Sequence, residues 1–133
     1  MVDKDKVLVI IPAYNEAECI LNVVANVRDA GYPLIVVNDG STDATLDICR
    51  NHDIPTLDLC VNLGIGGAVQ AGHKYALANG YEADVQFDGD GQHDASYIDQ
   101  LIAPLEKGGD LVIGSRFLDG SPSKFKSTVM RRI

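Results

Sequence analysis

Basic residues are scarce in this 133-residue chain: 11 Lys and Arg stand against 19 Asp and Glu, a formal charge of −8. Nonspecific binding to nucleic acid or to an anionic lipid surface needs a basic face, so both are set aside. An anionic ligand would have to be received by local arginines or by a metal. Cysteine is equally sparse. Cys19, Cys49 and Cys60 are odd in number, lack Cys-x-x-Cys spacing and fall within or beside expected helices and strands, which fits a reducing cytoplasm rather than a disulfide framework. His52, His73 and His93 form no zinc-type pair at helical spacing. No apolar run approaches the roughly 18 residues of a membrane span, and the charged start Met1 to Lys6 does not read as a signal peptide. Membrane attachment, at the cytoplasmic face, is therefore left to a partner or to sequence beyond these residues.

What is present is a core. Apolar residues make up 46% of the chain, enough for one buried domain. Val7-Leu-Val-Ile-Ile11 is short, continuous and β-branched, as expected of a strand covered on both faces, and Pro12 should stop it. Asn15 is placed to cap a helix, with Glu18 as its capping-box partner and Ile20, Leu21, Val24 and Val27 as the apolar face; Gly31 should end it. Leu34-Ile-Val-Val37 reads as the second strand, followed by the turn formers Asn38 to Asp43 and a helix from about Thr42 to His52. A weaker third strand, Thr56 to Cys60, leads through Asn62-Leu-Gly-Ile-Gly-Gly67 to a helix from about Ala68 to Asn79, closed by Gly80. Ala83 to Phe87 and Leu111 to Ser115 are further strands, with an amphipathic helix marked by Ile98, Leu101, Ile102 and Leu105 between them. This alternation predicts an α/β fold: a mostly parallel sheet with helices on both faces. It runs regularly over 1–116 and fails over 117–133, an irregular basic tail that reads like a cut through an unfinished domain.

The densest chemistry lies in Asp88-Gly-Asp-Gly-Gln-His-Asp94, where a strand's carboxyl end should deliver three carboxylates and an amide. Carboxylates this close repel one another and any phosphate, and a divalent cation reverses both effects; oxygen ligands favour Mg²⁺ or Mn²⁺. A solvated acidic turn with Asp94 capping the next helix is the other reading. Pro12-Ala-Tyr-Asn-Glu16 and Asn38 to Asp43 should reach the same edge. There Asp39 could accept hydrogen bonds from a base or ribose, Tyr14 could pack on the base, and Pro12 and Ala13 would permit close backbone approach. Against this, Tyr14 can be a boundary aromatic, and Asp39 with Asp43 a turn and a helix cap. The glycine-rich run after the third strand lacks the Gly-Lys-Ser/Thr of a P-loop and follows the wrong strand for a dinucleotide fingerprint.

Taken in order, Pro12 to Glu16, Val37 to Asp43, Asn62 to Gly67, Asp88 to Asp94 and Val112-Ile-Gly-Ser-Arg-Phe117 resemble the motif series of family 2 glycosyltransferases, especially the dolichyl-phosphate or polyprenyl-phosphate mannosyltransferase-like branch. The resemblance implies the GT-A fold, a Rossmann-like nucleotide-diphospho-sugar transferase architecture, and transfer of a sugar with inversion from a nucleotide-diphosphate donor. Carried over by position, Pro12, Ala13, Tyr14, Glu16 and Asp39 would hold the nucleoside. Asp88 and Asp90 would be the Asp-x-Asp pair, Asp88 toward ribose and metal and Asp90 on the metal, with Gln92 a further ligand. Arg116 and one of Arg131 and Arg132 would receive the phosphate of a lipid-phosphate acceptor; a saccharide acceptor would instead need a carboxylate base from sequence not present. The chain would then be the N-terminal, donor-binding part of a catalytic domain, and strand edges left open would invite a homodimer.

Three rivals share some of these features. A receiver domain would carry an acid pair after the first strand and its phospho-accepting Asp after the third, where this chain has Pro-Ala-Tyr-Asn and Val-Asn-Leu-Gly. A sugar nucleotidyltransferase would need a glycine-rich basic loop after the first strand. A non-catalytic nucleotide-binding module would bind the donor without transferring its sugar.

Overall fold

The computed structural model describes residues 4–87, 111–115 and 127–132. Its strands are β1 (Val7–Ala13), β2 (Leu34–Asp39), β3 (Thr56–Leu59), β4 (Ala83–Gln86), β5 (Leu111–Ser115) and β6 (Ser127–Arg132); its helices are α1 (Ile20–Asp29), α2 (Thr45–Asn51) and α3 (Gly64–Ala78). They form one sheet in the order β3-β2-β1-β4-β6-β5. The first four strands are parallel, and β6 runs antiparallel between β4 and β5. The expected parallel core with helices on both faces is what folds.

The apolar strand β1 lies between β2 and β4, so its residues are sealed on both faces. Val7, Val9 and Ile11 point to one face, where they pack with Ile20, Val23, Val24 and Val27 of α1 and with Val36, Val85 and Phe87. Leu8 and Ile10 point to the other and pack with Ile35, Val37 and the Ala68 and Ala76 of α3. Alternation along the strand thus divides one run of sequence between two cores. On the α3 face the helix contributes small residues, Ala68, Gly72 and Ala76, one turn apart. A Cβ on Gly72 would come within 2.5 Å of the Ile10 side chain, so α3 lies close on the sheet because that position carries no side chain.

All three helices end alike. Tyr32, Ile54 and Tyr81 donate their backbone N–H back to the carbonyls of Val27, Cys49 and Ala76, and the preceding Gly31, Asp53 and Gly80 have positive φ. This is the Schellman termination, and it turns each helix toward the next strand. Gly31 and Gly80 act as the sequence predicts; Asp53 takes the same role without being glycine.

Several boundaries depart from expectation. Pro12 does not stop β1, which runs on to Ala13 with Pro12 in register with Val37. The β1–β4 ladder is in register from Val7–Ala83 to Ile10–Gln86, so Pro12 lies beyond its last paired residues. Helix α1 starts at Ile20 rather than after Asn15, with no side-chain cap. Helix α3 starts at Gly64, so the glycine-rich run forms its first turn instead of a loop before it. The backbone of Ser127–Arg132 is a strand and not part of an irregular tail. The run Ser-Thr-Val-Met is compatible with a strand, and the slot between β4 and β5 pairs it on both sides. Among the described residues no helix is long and apolar enough to cross a membrane.

Candidate functional site

The carboxyl ends of β1, β2 and β3 lie side by side, with Ala13 in register with Asn38 and Asp39 with Leu59. The loops leaving β1 and β2 are sewn together. Asn15, held at φ 54°, turns its side-chain carbonyl to the second loop, where it accepts the N–H of Thr42 at 2.8 Å, the N–H of Asp43 at 3.2 Å and the Thr42 hydroxyl at 3.3 Å. The exchange is reciprocal: Asn15 N–H donates to Ser41 Oγ, Glu16 N–H to Thr45 Oγ1 and Ala17 N–H to the Asp43 carboxylate. A left-handed residue is tolerated best when it is Asn, and here its amide also satisfies backbone donors that no helix or strand uses.

Asp43 is the hinge between this seam and α2. Its carboxylate accepts the N–H of Thr45 at 2.9 Å and the Thr45 hydroxyl at 2.5 Å, while its other oxygen takes Ala17. Desolvation pushes this carboxyl up, but the hydrogen bonds from the Thr45 hydroxyl, the Thr45 N–H and Ala17 together hold it below its ordinary value.

The third loop is tied by a different residue. Asp39 is 4% exposed, and its Oδ1 accepts the Leu63 N–H at 2.6 Å. Gly40, at φ 70°, lies so close to this loop that a Cβ would meet the Asn62 nitrogen at 2.6 Å. Beneath it, buried Asn38 donates to Asp58 at 3.0 Å, and Asp58 faces Arg50 at 3.7 Å. The loops after β1, β2 and β3 therefore form one braced rim. Above it Tyr14 stands 47% exposed, while Ala13 is buried and Pro12 and Glu16 are half-buried.

Of the residues expected here, the structure brings together Pro12, Ala13, Tyr14, Glu16 and Asp39. Asp88, Asp90, Gln92 and Arg116 lie outside the described residues, as do Asp94 and the helix expected around 98–105. Phe87, immediately before Asp88, donates its N–H to Ile10 carbonyl at 2.8 Å, so the chain leaves β4 beside β1 on the same edge. Ser115, immediately before Arg116, ends β5 on that edge too. The backbone of Arg131 is in register with Asp84 of β4. The sequence reading missed the seam. Asn15 has the composition of a helix cap, yet the hydroxyl and carboxylate run Ser41-Thr-Asp43, rich in local acceptors, signals a second loop to be satisfied. It missed also that Asp39 braces the Leu63 backbone.

The family model for glycosyl transferase family 2 matches residues 8–132. The polyprenol monophosphomannose synthase of Mycolicibacterium smegmatis is 34% identical over 86% of this chain and 46% of its own length. The undecaprenyl-phosphate mannosyltransferase of Micrococcus luteus is 35% identical over 86% of this chain and 50% of its own. The chain thus spans about half the length of these curated relatives. Among solved structures, glucosyl-3-phosphoglycerate synthase of Mycobacterium tuberculosis, in complex with Mn²⁺, UDP and glucosyl-3-phosphoglycerate, superposes with a TM-score of 0.63. It is 23% identical, covering 82% of this chain and 42% of that one, and the likeness is one of fold.

Proposed function

This chain belongs to glycosyl transferase family 2 and has its GT-A fold, and from that membership we propose that its braced rim holds a nucleotide-diphosphate sugar whose glycosyl group passes, with inversion, to a polyprenyl phosphate. The carrying observation is the seam itself: six hydrogen bonds fix the loops after β1 and β2 before any ligand arrives. A cradle fixed in advance loses little ordering entropy on binding. Tyr14, exposed at its lip, packs against the base, and Asp39 serves ribose or base while bracing Leu63.

Asp88, Asp90 and Gln92 follow directly from β4, and a set of carboxylate and amide oxygens suits Mg²⁺ or Mn²⁺. When bound, such an ion supplies positive charge to the leaving diphosphate. The chain's own groups do the rest. The rim orients the nucleoside so that the anomeric carbon faces the acceptor. An acceptor phosphate oxygen forms the new bond to that carbon as the bond to the diphosphate breaks on the opposite face. The nucleophile is already anionic, so no general base is required. Arg116, the residue after β5 in sequence, receives the acceptor phosphate, with Arg131 or Arg132 as the second cationic group. Names of relatives that act on polyprenol and undecaprenyl phosphate support this acceptor class.

Calorimetric titration with UDP, GDP and their sugar conjugates, each with Mn²⁺ and with EDTA, tests the reading. Metal-dependent binding of one nucleotide diphosphate is expected, lost in Asp90→Ala. Asp39→Asn keeps an acceptor for the Leu63 N–H and should still weaken nucleotide binding. Metal-independent binding, or unchanged affinity in both variants, rejects the assignment.

A further inference from the structure

The longest stretch of this chain without an Asp, Glu, Lys or Arg runs from Leu59 to His73, in a sequence of which 23% is charged. It leaves β3, crosses the loop and continues into α3. Where it can reach the sheet it packs, and Ala68 and Gly72 are buried there. Its leading part does not: Val61 is 62% exposed, Leu63 55% and Ile65 58%. The other large apolar side chains exposed among the described residues, Tyr14, Leu21 and Leu77, are scattered along the chain and need no special account. Gly64 and Gly66 stand clear as well, since a Cβ on either would meet nothing within 4 Å among the described residues. The backbone of this tip is nonetheless held, with Leu63 N–H on Asp39 at 2.6 Å and Gly64 N–H on Asn62 Oδ1 at 3.0 Å. Three aliphatic side chains are therefore displayed to solvent on a braced turn.

Charge narrows what they can meet. On and beside α1 and α2, on the other face of the sheet, Glu18, Asp29, Asp47 and Asp53 are exposed against Arg28 and Arg50, and the whole chain stands at −8. An anionic surface repels that side. The tip carries no charge to desolvate, and its side chains gain by leaving water for hydrocarbon. It also adjoins the rim, because Asp39 holds Leu63 and Gly40 lies against the backbone of Val61 and Asn62. A polyprenyl phosphate keeps its hydrocarbon in the bilayer and offers its phosphate at the headgroups, so the edge that receives it has to lie against them.

We infer that Val61, Leu63 and Ile65 seat this chain on the lipid bilayer and hold the rim at the headgroups. The choice of lipid as partner rests on the proposed polyprenyl phosphate acceptor. The contact is apolar and reversible, and it lies within residues whose chain, judged by net charge alone, would avoid a membrane.

The chain contains no tryptophan, so Leu63→Trp and Leu21→Trp each place a single fluorophore, one on the tip and one on α1. With phosphatidylcholine vesicles lacking polyprenyl phosphate, the Leu63→Trp emission should move to the blue and be quenched by brominated acyl chains, while that of Leu21→Trp stays unchanged. In vesicle sedimentation, Val61→Asp with Ile65→Asp should lower partition about tenfold or more. An acidic residue in the first turn favours α3, so the double variant should keep the parent's circular dichroism and nucleotide affinity. Replacing part of the phosphatidylcholine by phosphatidylglycerol should weaken binding. The inference is overturned if the parent does not partition, if the double variant partitions equally, or if binding requires phosphatidylglycerol and is lost in high salt, which would put the contact on basic residues elsewhere. Self-association of the parent, abolished by the two aspartates and without vesicle binding, overturns it too and makes the tip an interface between copies. Tip-dependent partition in a chain that binds no nucleotide would sustain the lipid contact and sink the donor reading; metal-dependent nucleotide binding without partition would do the reverse.

Discussion

The two faces of the sheet are built on different principles. On the α1–α2 face the described core is continuous, running from Val7 through Val27 and Val36 to Phe87, with branched side chains from both helix and strand. Among the described residues the buried cluster on the α3 face is smaller, Leu8, Ile10, Ile35, Val37, Ala68 and Ala76, and the helix approaches through small residues. Beside that cluster, among the described residues, lie a His–Asp pair and a cavity. Dense packing leaves no room for a ligand, and a cavity forgoes the dispersion contacts that would have filled it. One face therefore supplies the stability that lets the other carry polar groups and open space.

The largest effect should come from the packed face. Phe87 is 1% exposed and among the largest fully buried side chains. Phe87→Ala should destabilise the chain by about 3–5 kcal/mol, read from urea unfolding. A loss no greater than that of an exposed-residue control such as Leu77→Ala would erase the distinction between the faces, since Leu77 is 52% exposed on α3.

The α3 face should respond to the loss of a buried hydrogen bond instead. Asp84→Ala removes one member of a largely buried hydrogen-bonded pair and leaves a His73 ring nitrogen without that partner, a change of about 1–3 kcal/mol. The double variant His73→Leu with Asp84→Val should recover most of that loss, because it leaves no buried polar group without a partner. Additive losses in the double variant would show that the two residues act independently and that this face is held by ordinary packing.

How far the sequence revealed this arrangement differs by level. Periodicity marked most of the described strands and helices: Val7 to Ile11, short and β-branched, fits a buried strand, and Gly31 and Gly80 mark helix ends through their left-handed backbone. The motif order brought Tyr14 and Asp39 to one edge because parallel strands end there. The division of β1 between two cores also follows from alternation alone. What stayed hidden was tertiary. Asn15 has the composition of a helix cap, and only the approach of Thr42 and Asp43 diverts its carbonyl. His73 and Asp84 lie on a helix and a strand with no sequence signal joining them, and their meeting depends on how closely Gly72 lets α3 settle. Strand β6 was illegible for a similar reason, since a slot between two strands decides it more than propensity does.

The smallest expected effect lies on the rim, where the seam joins the loop ahead of α1 to the start of α2. Asp43 is exposed, so each of its hydrogen bonds is screened and modest, yet together they depress its pKa below the ordinary carboxylate value of about 4. A carboxyl depressed on folding stabilises the folded state above its unfolded pKa. That contribution falls away as the pH drops through the unfolded value and then through the lower folded one. Asp43→Asn keeps the shape and an acceptor oxygen but cannot titrate. The parent should therefore exceed the variant in urea stability near neutral pH, and the gap should close on acidification below about pH 4. Nucleotide affinity should follow the same course if the seam is what holds the cradle in shape. Parallel stability curves for parent and variant across that acid range would mean that the Thr45 and Ala17 bonds do not distinguish the ionised carboxyl from the neutral one. The rim would then owe its form to Asn15 and the backbone alone.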